Sequence, residues 1–226
     1  ALRDKFLEAH GLWQHCAPFE FGPAADRNLR LSVNTYPTDT AQIQENISTG
    51  LFDLENAQNS DAKGFPAIDY LLFAEDESSF DDAGRMGYLV ANLNLIDDLV
   101  TATHDEWNST YLEEFAFNTG SDAGSSISFL VNEINFDFEL VKNAKIGIPL
   151  GKKTLGIAQP EQVEAPFSRA SLSLARANIE ALAETFNGGN AEGLDDYLDH
   201  LDARYNSTLL SVAINEGFDD ILAKID

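Results

Sequence analysis

Few residues in this 226-residue chain could do chemistry. There are four histidines, His10, His15, His104 and His200, and one cysteine, Cys16. No His-Glu-x-x-His occurs, so the zinc-peptidase arrangement of two imidazoles one helical turn apart with a glutamate base is absent. His10 and His15 point about 140° apart around a helix, a poor chelating pair. His104-Asp105-Glu106 puts donors on adjacent positions that face different ways. Asp196 and His200 share a helix face at i and i+4 beside Asp199 and Asp202. That geometry suits either a weak divalent-cation site or an acid-rich solvated surface. Glu133 and Asp137 form a second i, i+4 acid pair, on a face opposed to the apolar one and expected in solvent. No Gly-x-Ser-x-Gly turn and no phosphate loop of Walker spacing occur. Cys16 lies on an apolar stripe and reads as a buried thiol; standing alone, it allows no intrachain disulfide. The residues therefore name no catalytic set and no metal set.

The most informative stretch is Gly64-Phe65-Pro66-Ala67-Ile68-Asp69-Tyr70-Leu71-Leu72-Phe73. Proline is favoured at the first helical position, so Pro66 is expected to open a short apolar helix. Asp69 would then sit on its first turn, either as a stabilising acid at the dipole's positive end or as a ligand-facing carboxylate. Glu164 is followed by Ala165-Pro166-Phe167-Ser168, and Ser168 reads as the N-cap of the next helix, with Ser171 just inside it.

These pieces resemble the imelysin-like family. Gly64, Tyr70, Leu71 and Leu72 match its Gly-x-His-x-x-Glu signature and the apolar run after it, with Pro66 in place of the His and Asp69 in place of the Glu. Trp13 and Phe19-Glu20-Phe21-Gly22-Pro23 are similar to the end of the family's first long helix. Asn34-Thr35-Tyr36-Pro37 is similar to its aromatic-Pro turn. Pro149, together with Glu164-x-x-Phe167-Ser168-x-x-Ser171, is similar to a later element. The resemblance spans most of the chain in the family's order. It implies two bundle halves, here 1–118 and 119–226 of a single domain, with the signature near their junction. It also implies a protein of the bacterial envelope, periplasmic or lipid-anchored at the outer surface, that serves iron or metal uptake with an envelope transport partner. A metallopeptidase is the alternative it carries, and an acidic interaction module is a third reading. Proline has no ligand atom, so the signature itself offers no metal site here and no cofactor is expected beyond a weak divalent cation. A small-molecule or metal-linked ligand would then meet Tyr36, Phe65, Pro66, Asp69, Arg85, Glu164, Ser168 and Ser171. Arg85 could equally pair with a nearby acid. With Asp69 already supplying a negative charge at a helix start, the pocket should prefer neutral or cationic groups.

Composition points the same way. The chain carries 38 acidic against 14 basic residues, a formal charge of −24. Such a surface repels nucleic acid and anionic lipid and attracts cations. No run approaches the roughly 20 apolar residues of a membrane span. Both ends fall within helical patterns without caps, so the sequence reads as trimmed, with a signal or lipoprotein segment removed.

The elements that must position these residues are helical almost throughout. Leu2, Phe6, Ala9, Trp13 and Cys16 give one apolar face, and Pro18 ends it. Residues 19–37 read as a long irregular, function-bearing loop in which Leu29 to Val33 is the one strand candidate. Thr38 or Asp39 caps a second helix. A long helix is expected over about 80–117, the next is capped by Ser121, and another ends at Asn187-Gly188-Gly189. A final single helix is expected from about Leu194 to Leu222. The reading is an all-α, up-and-down bundle with Trp13, Leu71, Leu93, Trp107, Leu130 and Leu201 in the core.

Overall fold

In a computed structural model, which describes residues 1–225, α1 (Leu2–Cys16) buries Phe6 and Trp13 on the expected stripe. Pro18 turns the chain into a 3-10 segment, Ala17–Phe19. Cys16 falls just off the buried stripe and is exposed, contrary to expectation. The segment expected to be irregular holds two short helices, α2 (Pro23–Asp26) and α3 (Leu29–Val33). The strand candidate is thus helical. Both Glu20 carboxylate oxygens accept the Arg30 N–H at 3.0 Å, which stabilises the first turn of α3. Asp39 caps α4 (Thr40–Thr49) through the N–H groups of Ala41 and Gln42.

The signature helix α5 (Gly64–Phe73) starts two residues earlier than Pro66 suggests. Pro66 still lies in the first turn, where a missing N–H costs no helical bond. Gly64 has φ +76°, and a Cβ there would stand 2.2 Å from the Val33 carbonyl oxygen, so α3 and α5 touch backbone to backbone. Two guanidinium groups occupy the carbonyls at the far end of α5. Arg85 donates to Leu71 O at 2.8 Å and Arg3 to Leu72 O at 2.7 Å.

Asp82 caps α6 (Ala83–Glu106), which runs through a π turn (Trp107–Tyr111) into α7 (Leu112–Phe117). Together they make the long helix that the apolar repeat predicts. Next comes α8 (Ser126–Leu140), capped by Ser125 rather than Ser121, and continued by a π-helical stretch, Val141–Gly147. α9 (Ser171–Asn187) ends at Gly188 with φ +71°, as the Asn-Gly-Gly sequence predicts. Its N-cap is Ala170, not Ser168. The expected final helix is two, α10 (Leu194–His200) and α11 (Leu210–Ile225), separated by a hairpin of β1 (Arg204–Tyr205) and β2 (Thr208–Leu209). Asp202 and Asn206 take left-handed φ of +49° and +55°, a conformation these two residue types tolerate better than most.

Two apolar cores result. One gathers Phe6, Trp13, Val33, Ile43, Ile68, Leu71 and Leu89; the other gathers Val141, Ile179, Leu182, Phe186 and Phe218. Helix α1 belongs to the first core and packs along α9 of the second. Of the expected core residues, Trp13 and Leu71 are buried, whereas Leu93 and Leu201 are exposed. Leu93 faces a groove between α1 and α6 that no element fills. Trp107 and Leu130 are half-buried. The rings of Phe21, Tyr111 and Phe115 surround Trp107.

Candidate functional site

Helix α1 carries two polar residues on its core-facing side. His10 and Gln14, one turn apart, are completely buried, level with Phe6 and Trp13. Buried polar groups require partners, and these find them far away in the sequence. Gln14 Nε2 donates to Glu164 Oε1 at 3.0 Å, and Asn34 Nδ2 donates to the same oxygen at 2.6 Å. Lys145 Nζ donates to Glu164 Oε2 at 2.8 Å and also to Gln14 Oε1. His10 Nε2 lies 3.3 Å from Asn34 Oδ1 and 3.5 Å from Glu164 Oε1. Since both neighbours are acceptors, the proton belongs on Nε2. The imidazole lies flat on Phe65 of the signature helix, with centroids 4.7 Å apart and planes 6° apart.

Glu164 is 1% exposed. Burial opposes its ionisation, but Lys145, His10 and Asn34 hold its carboxyl well below the usual range. A carboxylate so committed is a poor general base. It is a structural charge at the floor of the site.

The segment after Glu164 is tied down by the signature helix. Asp69, also fully buried, accepts the N–H of Phe167 at 3.0 Å and of Ser168 at 3.2 Å. It therefore caps the 165–168 turn rather than the start of its own helix, where its position midway along α5 would not let it reach. Burial pushes its carboxyl up, against the pull of those donors. Ser171 Oγ accepts the Ala165 N–H at 3.0 Å, closing the same turn. The Phe167 ring meets Tyr70 edge-on at 5.0 Å.

In front of this cluster lies a cavity of about 230 Å³ between α1, α3, α8 and α9. Gln14, Asn34 and Lys145 form its floor, with Tyr36, Arg30, Asp137 and Asn178 in its walls. Burial and the nearby Glu164 and Asp137 charges push the Tyr36 phenol far up, so it stays neutral. Asp137, expected in solvent, is 2% exposed, and Asn178 Nδ2 donates to its Oδ2 at 2.6 Å. Arg30, reaching across from α3, bonds Glu133 at 3.0 Å and Ala17 O at 2.7 Å. Burial pushes the Asp137 carboxyl up, partly offset by Arg30, Asn178 and Lys145. Two larger hollows, of about 520 and 600 Å³, are lined mainly by apolar side chains, and the larger meets the polar cavity only at Trp13.

Of the sequence-predicted site residues, Tyr36 lines the cavity and Glu164 bonds three residues of its floor. Phe65, Asp69, Ser168 and Ser171 stand behind that floor, and Pro66 is buried in the first turn of α5. Arg85 is engaged at the other end of α5, 3.6 Å from Glu75 and over the Tyr70 and Phe80 rings. Sequence reasoning missed His10, Gln14, Arg30, Lys145, Asp137 and Asn178. For His10 and Gln14 a signal existed, namely polar residues at i and i+4 inside the apolar stripe of α1.

The donor set does not fit a resident metal ion. Pro66 offers no ligand atom, Asp69 is committed to backbone N–H groups, and Glu164 is committed to Lys145 and two amides. Among the described residues, no group of three or more His, Cys, Asp or Glu side chains is placed to hold one.

The family model for Imelysin (Peptidase_M75) matches residues 1–226. The chain belongs to the imelysin family. Among imelysin relatives, iron-regulated protein A of Synechococcus elongatus is 26% identical over 204 residues, covering 86% of this chain and 54% of that protein. The chain therefore spans about half the length of the curated relative it matches. The crystal structure of a Parabacteroides distasonis protein, described as an iron-regulated protein A precursor, superimposes with a TM-score of 0.74 at 20% identity. That match covers 98% of this chain and 72% of the other. At that identity the likeness establishes the imelysin fold alone.

Proposed function

We propose that this imelysin is a non-enzymatic binding protein of the bacterial cell envelope, periplasmic or lipid-anchored at the outer surface, that serves iron or metal acquisition. Its ligand, a small molecule or a metal-linked compound, enters the cavity above His10, Gln14, Asn34, Lys145 and Glu164. One observation carries this reading: a polar-walled cavity whose floor charges are already neutralised by one another. Such a floor fixes the cavity's shape, and its own groups, held by one another, supply neither a general base nor a nucleophile. The iron connection rests on the names of the relatives, and the envelope location on the family resemblance. Among the described residues no helix is long and apolar enough to cross a membrane.

A thermal-shift screen with metal salts, iron complexes and small organic compounds tests the binding reading. A true ligand at 100 times its Kd should stabilise the fold by about 2.7 kcal/mol, and Tyr36→Ala should reduce that gain. Peptide cleavage abolished by a chelator would overturn the reading in favour of a metallopeptidase. A partner retained only at low salt, with no small-molecule hit, would favour an acidic interaction module.

A further inference from the structure

The walls of the cavity do not balance in charge. Lys145 is paired with Glu164 at 2.8 Å and Arg30 with Glu133 at 3.0 Å. Asp137 remains. It lies within electrostatic reach of both cations, yet it has no ion pair within 4 Å among the described residues, and Asn178 engages only one of its oxygens. The contact with Asp137 also fixes the Asn178 amide, because the nitrogen must face the carboxylate. Asn178 Oδ1 is thereby turned away, buried and, among the described residues, without a partner. A carboxylate with one oxygen bonded and no ion pair thus stands beside an orphaned carbonyl oxygen in the wall, which leaves acceptor capacity open on both residues. Two further lining residues carry the opposite deficit. Trp13 Nε1 and Arg30 Nε are buried N–H donors with no acceptor among the described residues.

We propose that the cavity receives a small primary ammonium compound that also bears an oxygen acceptor, as in an amino alcohol or an amino acid. This inference rests on the cavity being the ligand site. The ammonium has three donors and one positive charge, which suits Asp137 and Asn178 Oδ1 together. The oxygen acceptor suits the indole and guanidinium N–H groups. A volume of about 230 Å³ corresponds to roughly eight waters at about 30 Å³ each, ample room for a molecule of that size. The Tyr36 and Trp13 rings that line the space add faces on which a cation can rest.

The test is NMR titration of the whole chain with ethanolamine, alanine, butylamine, butanol and butyrate, following the Trp13 indole and the Asn178 and Asn34 side-chain amides. Ethanolamine and alanine should shift these signals at the lowest concentrations, with butylamine next. Butanol and butyrate should be at least about tenfold weaker, a difference of one ion pair. Asp137→Asn should weaken the ammonium compounds by about tenfold or more while leaving butanol unchanged. The comparison among the five compounds needs no variant, so it stands even if that substitution disturbs folding. If butyrate or an iron complex shifts the cavity signals and the ammonium compounds do not, the assignment is overturned although the cavity remains a binding site. If no compound shifts them, the assignment is likewise overturned, and the binding reading is then decided by the wider thermal-shift screen.

Discussion

Glu164 and Asp137 are both buried carboxylates, and their surroundings push them in opposite directions. Lys145, His10 and Asn34 lower Glu164 in the folded state. Its contribution to stability is therefore complete above the ordinary glutamate range and is lost as pH falls through that range towards the folded value. Glu164→Gln should cost about 3–5 kcal/mol at neutral pH, because Lys145 is left buried and unpaired. It should also weaken the acid dependence, and guanidinium unfolding at pH 7 and pH 4 would measure both effects. Asp137 runs the other way. Burial raises it in the folded state, so the stability it lends at low pH is lost as pH rises from the aspartate range through the folded value. Asp137→Asn should thus be as stable as the parent at pH 7, or more so. A loss above about 2 kcal/mol would mark the carboxylate as part of the scaffold. Neither behaviour was legible from residue type, since Glu133 and Asp137 share one spacing and only the packed structure decides which of the pair meets water.

At the scale of elements, the sequence told more about where helices end than about what their side chains touch. Asp39, Pro18 and Gly188 act where local chemistry places them, because capping needs only neighbours three or four residues away. Leu29 to Val33 went the other way, because the Glu20 carboxylate that stabilises its first turn stands ten residues before the bond it accepts. Asp69 likewise looked like a local cap and is a clamp on a segment 98 residues away. Asp69→Ala should leave α5 helical yet raise the hydrogen-exchange rates of the Phe167 and Ser168 amides above those of their neighbours. Unchanged protection there would mean the turn holds itself. Gly64 combines φ +76° with contact against the Val33 backbone, so Gly64→Ala should destabilise by more than about 1 kcal/mol in urea unfolding. Part of that loss should appear as a shift of α3, visible in its amide resonances.

Over the whole molecule, 38 acids face 14 bases, so acids outnumber bases by 24 and repel one another. Salt should therefore stabilise the fold. Raising sodium chloride from 10 mM to 1 M should add about 1 kcal/mol, or about 2–4 °C in melting temperature, and a flat salt response would show the charges to be already well separated. The all-α class was readable at this scale because period and composition are global properties. The site was readable only in part: Tyr36 and Glu164 came from the family resemblance, but the partners of Glu164 lie at positions 10, 14, 34 and 145, and no window of sequence contains them together. That dispersal bears on how the chain acquires its structure. The Gln14–Glu164 bond closes a loop of 150 residues, and the entropy of such a closure must be overcome before the contact returns anything. Each apolar core can condense from closer contacts, so the polar cluster should be the last part to form and the first to open. Trp13 belongs to the first core, so protection of the Lys145 and Glu164 amides, rather than tryptophan emission, should report the late phase, separate from the earlier gain of helical circular dichroism.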